Sequence, residues 1–148
     1  MGSSTDALSA RLDFVGLDQA ARETLRSVSP VIMEGLGTAL DRFYDKVRRT
    51  PETVRFFSDP DHMAAAKSRQ QGHWQAIASG AFGPAYERTV KAIGSVHARI
   101  GLEPRWYIGG YALILEELIT AIVMQRCQKK SRRFGFGSRT ETAPIETM

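Results

Sequence analysis

Apolar residues recur along this chain at helical spacing. Ile32, Leu36, Leu40, Phe43 and Val47 form one stripe, Met63, Ala66, Gln70, Trp74 and Ile77 a second, and Tyr86, Val90, Ile93, His97 and Ile100 a third. Such steps of three and four put each set on one face of a helix that must pack against something apolar. No segment alternates apolar and polar residues over strand length, and no Asn-Gly or Asp-Gly hairpin turn occurs. Proline marks the element starts, because it suits the first turn of a helix and breaks the interior. Ser29-Pro30, Thr50-Pro51 and Asp59-Pro60 each pair a capping residue with a proline, and Gly83-Pro84 and Glu103-Pro104 follow loop-like breaks. The pattern predicts an all-α chain with helices at 7–14, 17–28, 30–49, 60–79, 84–100 and 104–128, and a one-turn piece at 51–57.

Composition sets the scale. At 148 residues and 43% hydrophobic content the chain has the makings of one compact domain, expected over 1–128. Residues 129–148 carry glycines, threonines and basic side chains without apolar periodicity and are expected to be a disordered tail. Charge divides at the same point: residues 1–125 hold 14 basic and 14 acidic side chains, while 126–148 hold 6 and 2, so the whole formal charge of +4 sits in the tail. A neutral globular part offers phosphates no electrostatic footprint, which argues against nucleic-acid binding. Cys127 is the single cysteine, so no intrachain disulfide or cysteine-based metal centre can form, in keeping with a cytoplasmic setting. The apolar run from Trp106 to Met124 is long enough to cross a bilayer. Glu116 and Glu117 at its centre would each cost about 2.5 to 3.5 kcal/mol there, so it is expected to be a buried helix and not a membrane span.

His97 lies inside the third apolar stripe. A buried imidazole left without a partner costs about 1 to 3 kcal/mol, so its partner is either a protein acceptor or a metal. Given a wide apolar slot, one ring nitrogen can ligate haem iron while the other donates to a carbonyl. Spacing by itself leaves both readings open.

The surrounding sequence is more specific. The stretch from Gly94 to Tyr111, containing His97-Ala98-Arg99-Ile100-Gly101-Leu102-Glu103-Pro104-Arg105-Trp106-Tyr107, resembles the signature of globin-coupled sensors, which are haem domains related to protoglobins. The resemblance extends to the Phe43-Tyr44 pair and to the segment from Ala66-Lys67 to His73-Trp74, and covers roughly 5–126. It implies a globin fold without the small fourth helix and with an extra N-terminal helix. It implies haem b as cofactor, with His97 as the proximal metal ligand and Tyr44 as the distal tyrosine facing a bound gas; a boundary tyrosine with a solvated hydroxyl is the alternative. The resemblance also makes Phe43, Ala66, Gln70 and Ile93 pocket residues. It puts His73 at the haem edge near a propionate, or else exposed, and Trp106 and Tyr107 on the proximal side, Tyr107 as a candidate hydrogen-bond partner on the His97 side, with core packing as the rival. His62 is assigned no chemistry.

The functional expectation is a non-enzymatic sensor domain that binds dioxygen or another diatomic gas and signals to an output domain. The alternatives are a haem globin enzyme acting on peroxide or nitric oxide, and a haem-free helical signalling module. Two departures stand out. Ala66 falls where a bulky apolar side chain is usual in the family, and the final globin helix has no counterpart after Gln128. Either the chain is a truncated or altered fragment, or the face of Tyr111, Leu115, Leu118 and Ile122, expected to be exposed, is covered by a second copy in a homodimer through the last helix.

Overall fold

A computed structural model describes residues 4–133, and all its regular elements are helices: α1 (Ser4–Phe14), α2 (Gln19–Arg48), α3 (Pro51–Val54), α4 (Pro60–Ala78), α5 (Pro84–Ile100) and α6 (Pro104–Arg133). The expected tail lies outside the described residues from 134 onward, and α6 continues five residues beyond Gln128.

Of the five prolines expected at helix starts, four open helices, Pro51, Pro60, Pro84 and Pro104. Asp59 caps α4 by accepting from the His62 backbone N–H at 2.7 Å, and Asp18 caps α2 by accepting from Ala21 N–H at 2.8 Å. Pro30 is the exception. The two helices expected on either side of it are one continuous α2, with Pro30 in its interior. A mid-helix proline removes one hydrogen bond and crowds the carbonyl four residues before it. Here Pro30 is exposed, so the freed carbonyl of Arg26 need not be buried, and the apolar residues on both sides hold the helix straight through.

The core lies between α2, α4 and α6. Ile32, Leu36, Ala39 and Leu40 of α2 meet Trp74 and Ala78 of α4 and Ile114 and Leu118 of α6, with Leu36, Leu40 and Ile114 fully enclosed. An ion pair between Arg42 and Glu117 ties α2 to α6 at the edge. Close approach of these two helices needs Gly110. A Cβ there would lie 2.8 Å from Phe43 Cε2, inside any tolerable contact.

Helix α6 departs from expectation in which face it hides. Ile114 and Leu118 are buried and Tyr111 and Ile122 half-buried against α2, whereas Ile108, Leu115, Ile119, Val123 and Met124 are exposed, Ile108 at 62%. Within the expected outer face, only Leu115 is exposed. Pro104–Gln128 is long and apolar enough to cross a membrane, and 17% of its most apolar window is buried, so it is not the enclosed core helix that the sequence predicts.

Helix α5 is set apart from the core. The other helices meet it only sparsely, and among the described residues the close packing runs α2 to α6, α2 to α4 and α2 to α3. Tyr86, Ile93 and His97 are half-buried while Val90 and Ile100 remain exposed, so the third apolar stripe is only partly covered.

Candidate functional site

The local sequence determines how α5 ends. Gly101 adopts a left-handed conformation at φ +70°, which an L side chain resists. The Leu102 N–H then donates to the His97 carbonyl at 2.9 Å and the Gly101 N–H to the Ala98 carbonyl at 3.2 Å, a Schellman closure. Pro104 restarts the chain as α6 three residues later. This tight reversal lays the first turn of α6 over the last turn of α5. The imidazole of His97 stacks on the ring of Tyr107, centroids 5.4 Å apart and planes 18° from parallel.

The His97 ring nitrogens have no hydrogen-bond partner among the described residues, so Tyr107 meets His97 face to face and not through the expected hydrogen bond. Burial lowers the pKa of His97 below the usual histidine value of 6.5, so the neutral, metal-ligating form prevails at pH 7. The described residues include no group of three or more His, Cys, Asp or Glu side chains able to hold a bare ion. A single neutral imidazole with free nitrogens, on a helix standing off from its neighbours, suits a metal complex that brings its own equatorial donors. These features fit the demand haem makes on its proximal residue.

Tyr44 belongs to a separate cluster. It is buried with Val47 of α2 and Met63 of α4, and Phe43, Val54, Phe57 and Ala66 pack around them. Its ring meets Phe43 edge-on at 4.9 Å and Phe57 at 6.2 Å. The hydroxyl has no hydrogen-bond partner among the described residues. Burial pushes its pKa up to about 12, opposed by the positive charge of Arg69. Tyr44 lines a cavity of about 440 Å³ between α2, α3 and α4, together with Asp41, Arg48, Phe57, Met63 and Lys67. Lys67 and Asp41 form an ion pair on that wall. Neither α5 nor α6 contributes to the lining, so His97 and Tyr44 stand on separate groups of elements.

The link between the two groups is the start of α6. Tyr107 touches His97, Gly110 seats Phe43 beside Tyr44, and Tyr111 reaches His73. His73 is buried, not exposed, and its Nε2 lies 2.9 Å from the Tyr111 hydroxyl. Burial lowers its pKa as well. Trp106 is half-buried under the Arg105 guanidinium, 5.0 Å above its ring, and its Nε1 is buried without a partner. Gln70 and Ile93 are half-buried on α4 and α5. His62 is exposed, its ring edge-on to Phe57 at 5.6 Å.

Sequence reasoning missed Tyr111 as the partner of His73, Gly110 as the seat of Phe43, and Arg69 as a charge acting on Tyr44. Tyr111 carried a signal only as an apolar-stripe residue, and a glycine next to another glycine in a helix gave no hint of which one a neighbour presses on.

Among the described residues, then, the elements are all helices, the His97 imidazole lacks a hydrogen bond and the buried Tyr44 hydroxyl lacks one too. The chain belongs to the Protoglobin family, which matches residues 4–137. The family is one of haem globins that bind diatomic gases.

Proposed function

We propose that this chain is a haem-based gas-sensing domain in which His97 is the proximal ligand and Tyr44 the distal hydrogen-bond donor. The observation that carries the reading is the His97 imidazole, kept neutral by burial and unbonded at both nitrogens, on a helix with little packing against it. Haem b, when bound, supplies four pyrrole nitrogens and an iron with a free position for a diatomic ligand.

The protein residues supply the rest. The Schellman turn at Gly101 anchors the His97 backbone, and Tyr107 restricts rotation of its ring. Tyr44 stays protonated at any physiological pH, so its O–H is available as a donor. A hydrogen bond to a polarised diatomic such as dioxygen is worth about 1.5 to 3 kcal/mol, or roughly tenfold to a hundredfold in affinity, and much less for carbon monoxide. Phe43, Ala66, Gln70 and Ile93 would shape the pocket, and His73 and Trp106 would lie at its edges. Binding is favoured over turnover because the three histidines are otherwise disposed: His97 as ligand, His73 on Tyr111, and His62 exposed. Peroxide chemistry calls for an acid–base group facing the ligand.

Signalling would run through α6. A shift of His97 on a change of ligand state is felt by Tyr107, and α6 exposes an apolar row, Ile108, Leu115 and Ile119, suited to a second copy of the same helix. A homodimer repacked along this face would pass the state to an output domain in a cytoplasmic setting. Absorption spectra of the reduced protein with and without dioxygen test the reading. A Soret band that shifts reversibly with the gas supports it, and a colourless protein that stays colourless after haem is added overturns it.

A further inference from the structure

The chain has four tyrosines, and one of them has a base for its proton. The hydroxyl of Tyr111 lies 2.9 Å from His73 Nε2, while those of Tyr44, Tyr86 and Tyr107 have no hydrogen-bond partner among the described residues. His73 Nδ1 is buried and unpartnered, which decides the direction of the bond. If Tyr111 donates to Nε2, one protein donor, Nδ1–H, is left unmet. If Nε2–H donated instead, both the phenol O–H and the Nδ1 lone pair would lack protein partners. The first arrangement costs less, so Tyr111 donates and His73 accepts.

The surroundings complete the case. His73 is 6% exposed and stacks on Tyr86 at 5.9 Å with planes 11° apart. The ring of Trp74 is 5.6 Å from Tyr111, and Trp74 is 4% exposed with its Nε1–H unpartnered. A phenol stripped of an electron becomes a strong acid, so its oxidation is easy only where a base within hydrogen-bond reach takes the proton as the electron leaves. Tyr111 has that base. Trp74, by contrast, has no acceptor for its indole proton among the described residues.

We propose that Tyr111 and His73 form a redox-active pair. A one-electron oxidant takes one electron from the Tyr111 ring, the phenolic O–H bond breaks, and the proton forms an N–H bond at His73 Nε2. The products are a neutral phenoxyl radical and an imidazolium, with the oxidant reduced by one electron. Return of an electron to the ring brings the proton back. Any outer-sphere one-electron oxidant strong enough to take an electron from the phenol serves, so the pair does not rest on the proposed function.

The test is photo-oxidation of the full chain by tris(bipyridine)ruthenium(III), generated in a flash and frozen for electron paramagnetic resonance. The wild type is expected to give a tyrosyl signal with an exchangeable coupling that narrows in deuterium oxide, from the His73 N–H on the phenoxyl oxygen. Tyr111→Phe is expected to lose the signal and Tyr86→Phe and Tyr107→Phe to keep it. His73→Phe is expected to make its yield depend on the concentration of buffer base. A signal that survives Tyr111→Phe, or a His73→Phe yield as insensitive to buffer as the wild type, overturns the proposal. So does a wild-type signal unchanged by deuterium oxide, a result that requires no variant to fold. A missing Soret band would sink the haem reading and leave the pair standing; a missing radical would do the reverse.

Discussion

The imidazole of His97 lies almost parallel to the phenol ring of Tyr107, 5.4 Å away, across the reversal between α5 and α6. The last turn of one helix and the first turn of the next therefore hold the proposed ligand between them. Replacing His97 by Ala is expected to abolish the native Soret spectrum of the haem-loaded protein, and added imidazole is expected to restore it by occupying the vacated space. An unaltered spectrum in His97→Ala would place the ligand elsewhere.

Tyr44 is expected to discriminate between gases. Tyr44→Phe removes the donor and keeps the ring packed against Phe43 and Phe57. Dioxygen release should speed up about tenfold to a hundredfold, with carbon monoxide release little changed. Stopped-flow displacement measures both rates, and equal acceleration of the two gases would argue against a hydrogen bond.

The packing of Gly110 on Phe43 makes a stability prediction with an internal control. Gly110→Ala puts a methyl group 2.8 Å from a ring carbon and is expected to destabilise the fold by about 1 to 3 kcal/mol. Gly109, its neighbour, has nothing within 4 Å of an added Cβ. Gly109→Ala is therefore expected to stabilise by about 0.5 to 1 kcal/mol, through helix propensity. Urea denaturation of the two variants checks the contrast.

Acid should weaken the fold before haem is bound. Burial lowers the pKa of both His73 and His97 from 6.5, so the unfolded chain takes up protons first as pH falls. Their contribution is complete above the unfolded value of 6.5 and is lost as pH drops from there through the folded values. Tyr44 behaves in the opposite sense. Its pKa is raised from 10.0 to about 12, so its contribution is complete below pH 10 and is lost between pH 10 and pH 12. Burial raises the pKa of Tyr86 and Tyr111 in the same direction, so denaturation midpoints across pH should show a smaller alkaline loss in Tyr44→Phe than in the wild type.

The exposed row of α6 carries the dimer proposal. Leu115→Glu or Ile119→Glu is expected to shift the protein to a monomer in sedimentation without unfolding it, since both side chains are exposed and neither belongs to the core. Leu118→Glu, buried in the core, is expected to unfold the chain instead. A protein that sediments as a monomer before any substitution would remove this route for signalling.

The reach of the sequence differs from element to element. Pro51, Pro60, Pro84 and Pro104 mark helix starts because a missing N–H matters least in a first turn, and that is a local property. The stripe from Ile32 to Val47 was legible for the same reason, since helical periodicity is written in the spacing of neighbours. Gly101 could end α5 without help from the rest of the fold, which places His97 in its final turn. Pro30 shows where local rules stop: packing of α2 on two other helices outweighs a single lost hydrogen bond, and no count along the chain supplies that balance. The face that α6 buries was decided in the same way, by its neighbour across the bundle. The bond between His73 and Tyr111 spans 38 positions. Residues so distant are brought together by the way three helices cross, so their identities are set by the sequence and their meeting only by the tertiary structure.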